Sequence, residues 1–171
     1  MTGFVTAALS REHDRAAFSS GVDALDRYLR ELVFQDIKRR VAGCFVALDD
    51  SGAIAGFYTL AATNIPLNSV PADMAKRLPR YPVVPAMLMG RLAVATKYQK
   101  KGLGRALVAD AAIRTDSFRI GAFALVVDAK DERAVAFYEA NGFAMIPDET
   151  RRLFLPIATA LQVLASEKKP Y

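Results

Sequence analysis

The chain has 171 residues, 53% of them hydrophobic, with a formal net charge of +5, one cysteine and one histidine. That length supports one folded domain with a sizeable core, and the single Cys44 and His13 exclude an internal disulfide, a His/Cys metal cluster and any Ser-His-Asp triad that does not use His13. The charge is local: residues 86–120 carry seven Lys and Arg against two Asp, and the remainder is neutral. In chain order, no stretch has the charged-then-apolar form of a signal peptide, and His13 sits in a polar run as a solvated residue. Ser20 or Asp23 caps a helix running to about residue 38, with Leu25, Leu29, Leu32, Val33 and Ile37 on one face. Residues 44–48 and 54–63 are strands joined by Asp49-Asp50-Ser51-Gly52, with Cys44 a buried small residue. Residues 64–82 form an excursion punctuated by Pro and Asn, containing a short helical stretch at 72–78. The longest uncharged run, 51–72, has bilayer length, but Asn64, Pro66, Asn68, Ser69 and Pro71 rule out a membrane helix. A strand within 84–95, a basic loop and a helix to about residue 114 come next. They are followed by a strand at 123–127, a helix at 132–141, strands at 143–146 and 153–155, and a closing helix at 157–166. This order predicts an α/β fold on a mixed sheet, antiparallel early with a strand–helix–strand crossover late. The expectation is a single domain over residues 1–171, located in the cytoplasm.

The basic loop is the most informative feature. Arg91-Leu92-Ala93-Val94 reads as a strand, and Gln99-Lys100-Lys101-Gly102-Leu103-Gly104-Arg105 leads into the helix. Glycines let the backbone approach a ligand, and the helix N-terminus beyond them offers unpaired N–H groups and a positive dipole end to phosphate. A Walker loop would need Lys-Ser/Thr after Gly104, where Arg105-Ala106 stands. A dinucleotide-binding turn would need a third glycine, where Leu107 stands. A Gly-x-Gly at such a junction can also serve tight packing alone, and the basic window can be a plain solvated face.

A second block follows the buried strand: Asp131-Glu132-Arg133-Ala134-Val135-Ala136-Phe137-Tyr138, then Asn141-Gly142-Phe143. Asp131 suits a helix cap, Glu132 its first turn and Gly142 its C-terminal end, with Ala134, Phe137 and Tyr138 on neighbouring positions of one face. Between Asp73 and Asp110 there is no carboxylate. If the reaction is transfer to an amine, one with a pKa of about 10.4 needs a base, whereas an α-amino group near 7.7–8.0 is partly neutral already. That favours an α-amino acceptor, although Asp128 or Glu132 could still reach in from the neighbouring strand–helix unit.

The two blocks together resemble the GNAT N-acetyltransferase superfamily. The Gln-x-x-Gly-x-Gly loop matches its coenzyme A loop. The later block matches its Asn-x-x-Ala-x-x-Phe-Tyr-x-x-x-Gly-Phe pattern, with Asp131 where Asn is usual. Ser20-Gly21-Val22-Asp23-Ala24-Leu25-Asp26-Arg27-Tyr28-Leu29, Gly56-Phe57-Tyr58-Thr59-Leu60 and Arg77-Leu78-Pro79-Arg80-Tyr81-Pro82 sharpen the match. They are similar to the acetyltransferase toxins of type II toxin–antitoxin modules, over residues 18–155. The resemblance implies acetyl-CoA as donor and no metal. It assigns cofactor contacts to Leu92, Ala93, Val94, Gln99, Lys100, Lys101, Gly102, Leu103, Gly104, Arg105, Asp131 and Phe137, with Tyr138 as the acid that protonates the leaving thiolate. The alternative for Tyr138 is a core aromatic whose hydroxyl finds a backbone partner. The implied substrate is aminoacyl-tRNA, acetylated on its α-amine, with Lys76, Arg77, Arg80 and Arg91 as candidate RNA contacts. The implied partner is a ribbon-helix-helix antitoxin through which DNA is engaged, with no membrane role and the pairing of two chains left open. Rival readings are a small-molecule or protein N-terminal acetyltransferase, and a non-catalytic coenzyme A-binding module.

Overall fold

The computed structural model describes residues 3–168. The chain divides into two compact units, one holding residues up to Ala61 with Met89–Ala111, the other Ala62–Leu88 with the residues from Ala112 on. Strands β3 (Ile54–Pro66) and β4 (Val83–Val94) and helix α4 (Leu103–Ser117) each contribute to both.

In the first unit β1 (Val5–Ala8) pairs antiparallel with β2 (Gly43–Leu48), and β2 pairs antiparallel with β3. The core beside these strands contains Phe18, Tyr28, Leu29, Val33, Val46 and Phe57. The helix expected up to residue 38 is divided: α1 (Asp23–Arg27), a π-helical turn (Tyr28–Leu32) and α2 (Val33–Lys38). The reason lies in the apolar spacing. Leu25, Leu29, Val33 and Ile37 repeat every four residues, a longer period than the 3.6 residues per turn of an α-helix, and a wider turn absorbs the drift. Leu29 and Val33 are thereby fully buried, while Leu32, expected on the same face, is exposed. Neither Ser20 nor Asp23 caps α1. Val22 occupies the cap position without a side-chain bond, and the Ser20 hydroxyl turns instead to Asp26. His13 is half-buried rather than freely solvated, its Nδ1 accepting the Ser10 N–H at 3.0 Å.

In the second unit β4 pairs parallel with β5 (Ala124–Asp128), which pairs antiparallel with β7 (Arg152–Pro156). β7 in turn pairs with the short β6 (Ala144–Met145). Helix α3 (Ala72–Ala75) is shorter than expected, and the chain then turns through Arg77 and Leu78 ahead of Pro79, which disfavours helix in the residue before it. Helices α5 (Glu132–Ala140) and α6 (Ile157–Glu167) lie where the sequence put them. The core here includes Ile65, Val84, Ala124, Val126, Ile146 and Phe154. No helix among the described residues is long and apolar enough to cross a membrane.

Candidate active site

In the first unit, β4 ends at Val94 and a 3-10 turn (Thr96–Tyr98) carries the chain to the glycine loop. Lys100 (φ 61°) and Gly102 (φ 87°) take left-handed backbone conformations, cheap for glycine and costly for lysine. A Cβ at Gly102 would meet open space, so backbone conformation rather than crowding calls for glycine there. The helical hydrogen-bond ladder of α4 is under way where the Ala106 N–H meets the Gly102 carbonyl. The N–H groups of Leu103 and Gly104 precede it and belong to the first turn of α4, where helix geometry offers no i−4 carbonyl. No acidic residue stands in that turn, and Lys100, Lys101 and Arg105 are exposed beside it. This donor set fits a polyanionic cofactor.

A glycine outside the expected site sets the seat of α4. A Cβ at Gly56 would stand 2.9 Å from Leu107 Cδ1 and 3.0 Å from the Ala93 carbonyl, so only glycine lets α4 lie this close to β3. The signal was present as a glycine inside an apolar strand. Ala93 is buried, and Leu92 and Val94 are half-buried. Gln99, expected to touch the cofactor, donates within the chain: Nε2 bonds to the Ser20 carbonyl at 2.7 Å and the Val94 carbonyl at 2.9 Å. Arg91 is stacked, its Cζ 3.6 Å from the centre of the Tyr28 ring. The Tyr28 hydroxyl donates to Asp36 at 2.9 Å, and burial first, then that bond, raise its pKa. Burial pushes the Cys44 thiol up to about 12, with Arg91 opposing, which fits a buried residue rather than a nucleophile.

In the second unit, Asp131 caps α5 by accepting the Ala134 N–H at 2.8 Å. That duty needs only an oxygen, so Asp performs it as well as the Asn usual at this position in the superfamily. The Asn141 amide donates to the Phe137 carbonyl, and Gly142 (φ 91°) ends the helix. Tyr138 is buried, its ring meeting Phe137 and Phe143 edge-on, both with centroids 5.2 Å away. Its hydroxyl makes no hydrogen bond to a described residue, and burial raises its pKa to about 12. The two carboxylates that could have served as a base are engaged. Asp128 accepts from Arg152 Nε and Nη2 at 2.8 and 3.1 Å, and Glu132 accepts from Arg151 Nε at 3.2 Å. Neither pair is foreshadowed by spacing along the chain.

Lys76, Arg77 and Arg80 are exposed on the segment around α3, and Arg80 lines a groove of about 690 Å³ with Leu67, Val70 and Tyr81. Arg91 belongs to the other unit and lies on Tyr28. Among the described residues no group of three or more His, Cys, Asp and Glu side chains is arranged to hold a metal.

Residues 40–145 match the family model for the GNAT acetyltransferase domain. A tRNA-acetylating toxin of Mycobacterium tuberculosis is 36% identical over 151 residues, covering 86% of this chain and 88% of that protein. A crystal structure of a KacT mutant superposes with a TM-score of 0.84 at 26% identity, covering 94% of this chain and 98% of that one. AtaT complexed with acetyl-methionyl-tRNAfMet shares the fold, with a TM-score of 0.84 at 24% identity over 95% of this chain and 99% of that one. A helix N-terminus without acidic residues behind a left-handed glycine, and a match through both units, lead to one conclusion: the chain belongs to the GNAT acetyltransferase family.

Proposed function

We propose that this acetyltransferase transfers acetyl from acetyl-CoA to the α-amino group of an aminoacyl-tRNA and, as a cytoplasmic toxin, stops translation. The observation that carries the acceptor class is the engagement of Asp128 and Glu132 by Arg152 and Arg151. Both carboxylates already accept hydrogen bonds from a guanidinium, so neither is presented to an incoming amine. An amine that is already partly neutral is the acceptor such a site can serve, and α-amino groups have that property. The 36% identity with a protein named as a tRNA-acetylating toxin supports the same reading.

The whole chain acts as one N-acetyltransferase domain, which the match across residues 40–145 supports. The first turn of α4 with Lys100, Lys101 and Arg105 holds the phosphates, and backbone groups along Leu92, Ala93 and Val94 hold the acyl end. Bound acetyl-CoA supplies an activated thioester. N–H groups of β4 polarise its carbonyl as charge develops on the oxygen. Tyr138, kept neutral by burial, donates to the departing sulfur, and its proton is restored by the one the acceptor nitrogen loses. A hydroxyl that makes no hydrogen bond to a described residue is available for that donation, unlike one spent on a backbone carbonyl. Phe137 packs beside it. Lys76, Arg77 and Arg80 contact the RNA, and a ribbon-helix-helix antitoxin that engages operator DNA neutralises the enzyme.

Incubating the protein with radiolabelled acetyl-CoA and total charged tRNA tests this. Label is expected in the RNA fraction with charged tRNA and not with deacylated tRNA. Label confined to small molecules or to protein N-termini would replace the tRNA acceptor with one of those classes.

A further inference from the structure

The loop that precedes α4 is fastened to a part of the chain remote in sequence. Both hydrogens of the Gln99 carboxamide are used, one on the carbonyl of Val94 at the end of β4 and one on the Ser20 carbonyl. A backbone bond runs alongside, from Thr96 N–H to the Ser19 carbonyl at 2.9 Å. Ser20 is itself held. Its N–H and hydroxyl both donate to the Asp26 carboxylate, at 2.9 and 2.7 Å, and Asp26 is 5% exposed inside α1. Between them Gly21 turns through φ 83°, and a Cβ there would lie 3.6 Å from Thr96 Cγ2. The foot of α1 and the cofactor loop thus share one hydrogen-bonded junction, with Gln99 as its side-chain link.

We propose that Gln99 is a positioning residue that holds the Lys100–Gly104 loop in its anion-binding conformation by tying it to Ser20, so that order at the foot of α1 and acetyl-CoA affinity rise and fall together. This goes beyond a cofactor contact for Gln99, and it rests on the acetyl-CoA reading. The coupling is reciprocal by linkage: a ligand that needs the loop ordered also orders residues 19–26.

Two variants test it. Gln99→Met keeps the length and removes both donors without adding charge, whereas Gln99→Arg keeps donors able to reach two carbonyls. Amide exchange without ligand is expected to speed up at residues 19–26 and 100–104 in Gln99→Met and to return toward wild type in Gln99→Arg. The acetyl-CoA dissociation constant of Gln99→Met is expected to rise about tenfold or more, the scale of two lost hydrogen bonds, with the melting temperature little changed. In the wild type, acetyl-CoA is expected to slow exchange at residues 19–26. Unchanged exchange at 19–26 in Gln99→Met, or unchanged affinity, overturns the proposal. A wild type that fails to bind acetyl-CoA overturns the cofactor reading instead, and the ligand-free exchange still decides the role of Gln99.

Discussion

Two strand–loop–helix junctions dominate this chain, and they are electrically opposite. The first turn of α4 has no acidic residue and is flanked by exposed Lys100, Lys101 and Arg105. The first turn of α5 is closed by the Asp131 carboxylate and followed by Glu132. One has no carboxylate at its N-terminus, which is the arrangement that suits an external anion, while the other satisfies a donor from within. Their glycines differ in the same way. Gly102 leads into a helix with open space at its Cβ position, whereas Gly142 ends one with Leu155 Cδ1 3.6 Å from that position. A strand, a glycine and a helix do not by themselves make a phosphate site; what matters is whether the chain has already supplied the carboxylate.

The largest effect is expected on the α5 side. Tyr138→Phe keeps the ring contacts and loses only the proton donor, so turnover falls roughly 10²–10⁴-fold while calorimetry finds acetyl-CoA affinity near wild type. Wild-type turnover would reduce Tyr138 to packing. Its pKa, raised by burial from the usual tyrosine value to about 12, gives a second test. The stabilisation from the neutral buried hydroxyl is complete below the unfolded value of about 10 and is lost as pH rises through about 12. No alkaline fall in activity is therefore expected from this group below pH 10.

On the α4 side, Gly104→Val is expected to abolish acetyl-CoA binding in a protein with unchanged circular dichroism, because a β-branched side chain occupies the room the pyrophosphate needs. Full affinity in the folded variant would remove the loop from the cofactor site. A smaller effect is expected from Arg77→Ala with Arg80→Ala. Acetyl-CoA affinity stays the same, tRNA binding weakens, and the salt slope flattens by about one unit per lost contact. An unchanged slope would mark that face as merely solvated.

The smallest effect separates the junctions most finely. Asp131→Ala should cost about 1 kcal/mol of stability for the lost cap, and Asp131→Asn close to nothing, since either oxygen accepts the Ala134 N–H. Neither should move acetyl-CoA affinity. A drop in affinity at an unchanged melting temperature would give the carboxylate a direct cofactor contact.

Local rules made much of this legible from the residues alone. Asp131, the apolar face through Tyr138 and Gly142 delimit α5, and the two glycines with their lysines announce the α4 loop, because capping, periodicity and left-handed turns act within a few residues. Tertiary structure decided what those rules cannot reach. Val5–Ala8 becomes a strand only by pairing with β2, having too few residues to display a period. Arg91 is drawn onto Tyr28 and Gln99 onto Ser20, while Asp128 and Glu132 are matched with Arg152 and Arg151. Each of these partners is distant in sequence, and a long polar side chain leaves no periodic trace of where it points. Its direction is set by which donors and acceptors the packed backbone brings within about 3 Å, so the partner of each such side chain could not be read in advance.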